Sequence, residues 1–246
     1  MLESAPVSSA LEPHKQAEID SRTAEFIAQE ATKPFGWAPA HFLEWATIAA
    51  MIQATGLPAG AHVLDVGAGS GWTSLFLAEA GFDVVGYDLV PANVELARRR
   101  AARWQSTARF EVGDMEALPA GPAADAALLF DALHHSTRQL QALRSVARRL
   151  RPGGWLVLGE PTWLHRLSSG ARATQREHGW MERGLSLRAL RRDLSAAGFV
   201  ETRRFFQPTE PYGGRGRAFA WQLARLAGAN FWVAPRAHLW LVARRG

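Results

Sequence analysis

Asp65, Asp88, Asp114, Asp131 and Glu160 each stand at or just beyond the end of an apolar run, and the first of them opens onto a glycine-rich stretch, VLDVGAGSGW. An apolar run passing into alternating glycines brings bare backbone close to a nucleotide-like ligand. Acids around such a turn suit a ligand with cationic groups and ribose hydroxyls, because an ionised carboxylate only accepts hydrogen bonds. Singly, each acid could cap a turn or a helix. Five in succession, in a chain of net charge +5, make a negative rim. His134 and His135 follow the fourth run and are candidates for moving a proton near neutral pH, with a purely structural role as the competing reading. Two common sites are excluded by spacing. A dinucleotide fingerprint needs a glycine where Trp72 stands, and the Gly-Lys-Ser/Thr of a P-loop is absent. There is no cysteine, hence neither disulfide nor thiolate metal site.

The elements that must hold these residues alternate. Strands are expected at His62–Val66, Asp83–Asp88, Ala108–Val112, Ala124–Phe130, Trp155–Glu160, Phe199–Phe206 and Ala237–Val242. Between them, Val94, Ala97, Ala101 and Trp104 mark one helix face, and Leu140, Leu143, Val146, Ala147 and Leu150 another. Gly81 is expected to end the helix that follows the first strand, and Pro152-Gly153-Gly154 to stop the one before the fifth strand. Strands separated by helices predict an α/β fold, a mainly parallel, doubly wound sheet whose ligands bind outside the carboxyl ends of the strands. At 246 residues and 48% hydrophobic content, the chain suits one domain, with a helical extension over residues 1–60 and a core over 61–206. Within the extension, 39–54 has the pattern of a helix. Residues 161–184 and 207–235 break the alternation and are candidate substrate-covering insertions.

In order and spacing, these blocks resemble the class I S-adenosylmethionine-dependent methyltransferases. The resemblance rests on D-x-G-x-G-x-G at 65–71, GYDLV at 86–90, GDMEALP at 113–119, ADAALLFDALHH at 124–135 and LRPGGWLVLGEP at 150–161. It covers roughly residues 60–200. It implies a Rossmann-like seven-stranded sheet, mostly parallel, with one antiparallel strand near the C-terminus. It implies S-adenosylmethionine as cofactor and S-adenosylhomocysteine as product. The backbone from Gly67 through Ala68 and Gly69 to Gly71 would pass beneath the methionine part, with Asp65 steadying that turn. Asp88, followed by Leu89, would accept from the ribose hydroxyls, Asp114 from the adenine amino group. The Met115 amide would donate to an adenine nitrogen, and the Phe130 carbonyl would face the methionine ammonium.

Methyl transfer is an in-line displacement on an activated carbon, so it asks for alignment and exclusion of water, and no metal is expected. A hydroxyl or amine acceptor also sheds a proton, and His135, then His134, are the candidate bases; His165 and His178 are weaker ones. FDALHH stands where amino-methyltransferases of nucleic acids carry an Asn/Asp-Pro-Pro-aromatic block, and Arg98, Arg99, Arg100 and Arg103 read as a solvated helix face. Trp37, Trp45, Trp163, Trp180, Trp221 and Trp232, with the arginines around them, suit a sugar or aromatic small-molecule acceptor. Action on nucleic acid or protein, and cofactor binding without methyl transfer, stay open as alternatives. The stretch 217–233 reads as a lid, ahead of a homodimer surface and of a helix at a membrane interface. Residues 1–33 lack an apolar targeting segment, so a cytoplasmic enzyme is expected.

Overall fold

The computed structural model describes residues 12–36, 40–167, 169–178, 184–205 and 238–246. Along the chain come α1 (Pro13–Asp20), α2 (Ala24–Glu30), α3 (Ala40–Thr55), β1 (His62–Val66), α4 (Trp72–Glu79), β2 (Asp83–Asp88), α5 (Pro91–Trp104) and β3 (Arg109–Val112). Then follow β4 (Ala124–Phe130), α6 (Gln139–Arg149), β5 (Leu150–Pro161), α7 (Ser169–His178), α8 (Leu187–Ala196), β6 (Phe199–Phe205) and β7 (His238–Arg245). The strands form one sheet in the order β3-β2-β1-β4-β5-β7-β6. β7 runs antiparallel to both of its neighbours, as the seven-stranded expectation requires, and the pairings from β3 across to β5 are parallel. The strand order turns back between β1 and β4, which puts a ligand crevice at their carboxyl ends.

The central strands read as unbroken apolar runs because both faces are covered. On one face Ile48, Met51, Leu75 and Ala97, from α3, α4 and α5, pack on β1, β4 and β7; on the other, Leu143, Val146, Leu190 and Leu194 come from α6 and α8. Ile48 and Met51 are fully buried, so the expected helix at 39–54 is part of the core. Fully burying side chains of that size stabilises by roughly 1.5–3 kcal/mol each.

Three expectations need correcting. The arginines of α5 are not all a solvated face, because Arg100 is buried and donates to the Ser70 carbonyl at 2.9 Å. β5 begins at Leu150 and not at Trp155, because the pairing with β4 slips between Ala124 and Ala126 and the bulge absorbs Pro152-Gly153-Gly154, with Gly153 at φ +76°. β7 also continues to Arg245, past Val242. Residues 161–184 leave the sheet and return to it. The Trp163 amide donates to the Leu185 carbonyl and the Leu185 amide to the Pro161 carbonyl, each at 2.9 Å, and α7 lies between. Trp37, Trp180, Trp221, Trp232 and the whole stretch 207–235 lie outside the described residues. No helix among the described residues is long and apolar enough to cross a membrane.

Candidate active site

A cavity of about 790 Å³ opens where β1 and β4 diverge, between the carboxyl edge of the sheet and the helices α1 and α2. Its sheet side starts with the glycine turn. The amides of Gly67 and Ala68 both donate to the Tyr87 carbonyl, at 2.8 and 2.9 Å, and the Gly69 amide donates to Asp88 Oδ2 at 2.8 Å. Gly67 and Gly69 both hold left-handed backbone, at φ +78° and +52°. Their surroundings differ: a Cβ on Gly67 would lie 2.4 Å from the Ala132 side chain, whereas one on Gly69 would meet nothing within 4 Å. Gly67 is therefore required by packing, and Gly69 faces open cavity. Asp65 and Gly71 stand behind this wall. Asp65 is buried and accepts from Thr73 Oγ1 and Ser74 Oγ, both at 2.6 Å, which ties the turn to the first turn of α4; burial raises its pKa.

Asp88 and Leu89, at the end of β2, line the cavity. Asp88 Oδ1 accepts from the Val90 amide at 2.9 Å and from Asn93 Nδ2 at 3.1 Å. Burial still pushes its pKa up to about 6 against those bonds. Asp114 and Met115 line the cavity after β3. Asp114 Oδ1 accepts from the Glu116 amide at 2.8 Å, and Oδ2 is held by Lys15 Nζ of α1 at 2.7 Å. The same ammonium reaches Glu116 Oε2 at 2.8 Å, while Glu116 Oε1 takes Ser136 Oγ at 2.7 Å. Lys15 is itself buried, so an N-terminal helix is latched onto the loop after β3.

The wall after β4 is shaped by Glu160, which is completely buried at the end of β5. Its Oε1 accepts from the amides of Ala132 and Leu133 at 2.9 and 2.7 Å, and its Oε2 lies 2.9 Å from His134 Nδ1. The chain reaches those amides by turning at Asp131, a left-handed residue at φ +52° and one of the few types that tolerate it. Asp131 projects into the cavity half-exposed, and burial works against a pKa that His134, His238, His135 and Lys33 pull down to about 2. Among the described residues, six histidines line this cavity: His14, His41, His134, His135, His165 and His238. Phe130 stands among them, edge-on to Trp72 at 5.9 Å and stacked on Trp240 at 5.7 Å.

Eight of the ten residues expected to hold cofactor therefore share one cavity with the candidate bases His134, His135 and His165, and the other two, Asp65 and Gly71, brace it from behind. Sequence reasoning missed the roof. Arg22, between α1 and α2, lies 4.5 Å over the Phe26 ring, with the charges of Glu18, Asp88 and Glu30 around it, and His41 of α3 pairs with Glu44 at 2.7 Å. Nothing in local spacing marks these side chains; only the tertiary fold brings α1–α3 over the sheet edge. His178 is the last residue of α7, and its side chain lies outside the described residues.

A methyltransferase-domain family model matches residues 63–154. The chain is 32% identical over 190 residues to a ubiquinone biosynthesis O-methyltransferase from Methylocella silvestris, covering 71% of this chain and 70% of that protein. It is 32% identical over 168 residues to an S-adenosyl-L-methionine-dependent Diels-Alderase from Talaromyces variabilis, covering 59% and 55%. Several other curated relatives are matched over about half of their length or less. Among solved structures, phosphoethanolamine N-methyltransferase 2 of Haemonchus contortus, in complex with S-adenosyl-L-methionine, shares the fold with a TM-score of 0.67 at 17% identity, over 94% of this chain and 59% of that one.

Proposed function

The chain belongs to the class I S-adenosylmethionine-dependent methyltransferase family, and from that premise we propose that it moves a methyl group from this cofactor to a small-molecule acceptor. The observation that carries the proposal is the one cavity in which the open face of Gly69, the Asp88 carboxylate and Asp114 stand opposite a histidine-rich wall. The residues fit the cofactor. Asp88 is a buried acceptor for ribose hydroxyls, Asp114 an acceptor for the adenine amino group, and the bare backbone at Gly69 leaves room where a side chain would intrude. When bound, the cofactor supplies a methyl carbon already activated by sulfonium. The chain then has to align an acceptor, keep water out and receive a proton. The roof of α1 and α2 serves the second task, and the histidine-rich wall beyond β4 the third, with Glu160 fixing the ring of His134 within it.

Support for a small acceptor comes from the enclosure by the roof and from the relatives' names. Incubation with cofactor carrying a labelled methyl group and a panel of phenols, sugars and amines should yield S-adenosylhomocysteine and labelled product in equal amounts. The identity to a relative named as a Diels-Alderase favours a second reading, in which the cofactor is bound and a different reaction proceeds beside it. Conversion of an acceptor with the cofactor recovered intact would establish that reading and overturn the first.

A further inference from the structure

An antiparallel strand starts at the edge where its parallel neighbours end. His238 is the first residue of β7 and pairs in register with Pro161, the last of β5, so it reaches the carboxyl edge of the sheet across 77 positions of sequence. Its ring lies against both Phe130, at 6.3 Å and 21°, and Trp240, at 5.4 Å and 31°, and these two rings are stacked on each other at 5.7 Å. Its Nε2 lies 4.0 Å from Asp131 Oδ1. That distance is too long for a hydrogen bond and short enough for a strong charge interaction. Two carboxylates and two histidines thus meet on this wall, with Asp131 Oδ1 also 3.9 Å from His134 Nδ1. Glu160 and His134 are both buried, His134 with its Nδ1 already engaged; Asp131 and His238 face the cavity beside Phe130, whose carbonyl is the expected neighbour of the methionine ammonium.

We infer that His238, paired with Asp131, is the group that takes the acceptor's proton. The inference rests on the methyl-transfer reading above. As the acceptor's lone pair forms its bond to the methyl carbon, the electrons of the carbon–sulfur bond go to sulfur, and the proton passes to the His238 ring. The imidazolium so formed stands beside the Asp131 carboxylate, which offsets its charge. The left-handed turn at Asp131 is the backbone feature that aims this carboxylate, and the ring stack with Phe130 and Trp240 fixes the imidazole plane. The other charged or titratable groups facing Asp131 are His134, His135 and Lys33.

The test compares His238→Gln, His135→Gln and Asp131→Asn in the full chain; asparagine keeps a side chain that tolerates left-handed backbone. With any acceptor that wild type methylates, His238→Gln should lower kcat about 100-fold or more and leave cofactor Kd within about twofold, while His135→Gln stays within about tenfold of wild type. Asp131→Asn should lower kcat about tenfold or more with cofactor Kd within about twofold, because the imidazolium formed on His238 loses the carboxylate beside it. Histidine ring NMR gives an answer without an acceptor: the His238 ring resonances should move in Asp131→Asn. Unmoved His238 resonances refute the pairing, and a larger loss in His135→Gln than in His238→Gln transfers the role to His135. Wild type that binds cofactor and methylates nothing fails the methyl-transfer reading instead, and the NMR result still judges the pair.

Discussion

Asp88 offers a measurement in which the ligand, the proton and the fold all report on one carboxylate. It is 8% exposed and its pKa is pushed up to about 6 from 3.8, chiefly by burial. A shift of that size corresponds to about 3 kcal/mol of cost for keeping the group ionised in the folded, ligand-free chain at neutral pH. The sign follows from proton counting. Between the two pKa values the unfolded chain has released this proton and the folded chain still holds it. Stability from this group is thus fully present below about pH 3.8 and lost as pH rises through about 6. Ribose hydroxyls need the ionised form, so cofactor binding must expel the proton in acid. Affinity should be flat above about pH 7 and weaken by up to about tenfold per pH unit below about 6. Asp88→Asn removes the charge and sets an amide against the Val90 and Gly69 donors. It should cost about 1.5–3 kcal/mol of cofactor binding at pH 7.5, the scale of a hydrogen bond to a charged group, and abolish the pH dependence. Isothermal titration calorimetry from pH 5 to 8, in two buffers of different ionisation enthalpy, reads both the affinity and the proton released. A wild-type affinity that stays level down to pH 5 with no proton release, and that Asp88→Asn leaves unchanged, would refute the reasoning.

Four other substitutions separate ligand contact from packing. Gly69→Ala should cost about 1–2 kcal/mol of stability, the left-handed penalty, and weaken cofactor at least about tenfold; Gly67→Ala should cost about 2–5 kcal/mol because its Cβ also strikes Ala132, and chemical denaturation with calorimetry distinguishes the two. Lys15→Met leaves the buried Glu116 carboxylate without its ammonium and should destabilise by about 3 kcal/mol, with faster hydrogen exchange in α1 and unchanged protection in β1 and β4; equal protection in α1 would show that the latch carries no weight. Glu160→Gln turns one amide group toward backbone donors, and should lower stability by about 2–3 kcal/mol and displace the His134 ring resonances, whereas an unmoved spectrum would deny Glu160 its part in shaping the wall.

The sheet was legible where burial on both faces leaves an uninterrupted apolar run between polar residues: β1, β2 and β4 begin and end where their runs do. β5 was cut short because Pro152-Gly153-Gly154 looks like a break, and only pairing with β4 reveals a bulge that a strand can carry. The cofactor side of the site was legible because Asp65, Gly69, Asp88 and Asp114 sit in blocks of local spacing. Its roof was not. α1 and α2 are short and polar, and what holds α1 down is an ammonium reaching carboxylates 99 and 101 positions away. His238 was hidden for a related reason. No neighbour in sequence marks it, and its place at the ligand edge follows from the direction of β7 alone.

The carboxylates in and behind the cavity wall have a consequence for which way the molecules flow. Asp88 is held by two backbone amides and a carboxamide, Asp65 by two hydroxyls, and Glu160 largely by amides. Neutral dipoles steady a negative charge without cancelling its reach. In the proposed reaction the methyl donor arrives as a sulfonium cation and departs as a neutral thioether. The attraction that draws it in therefore vanishes at the moment of transfer, while ribose and adenine contacts stay the same. Spent donor is held less tightly than fresh donor, the preference fades as added salt screens the field, and product inhibition is weakest at low ionic strength.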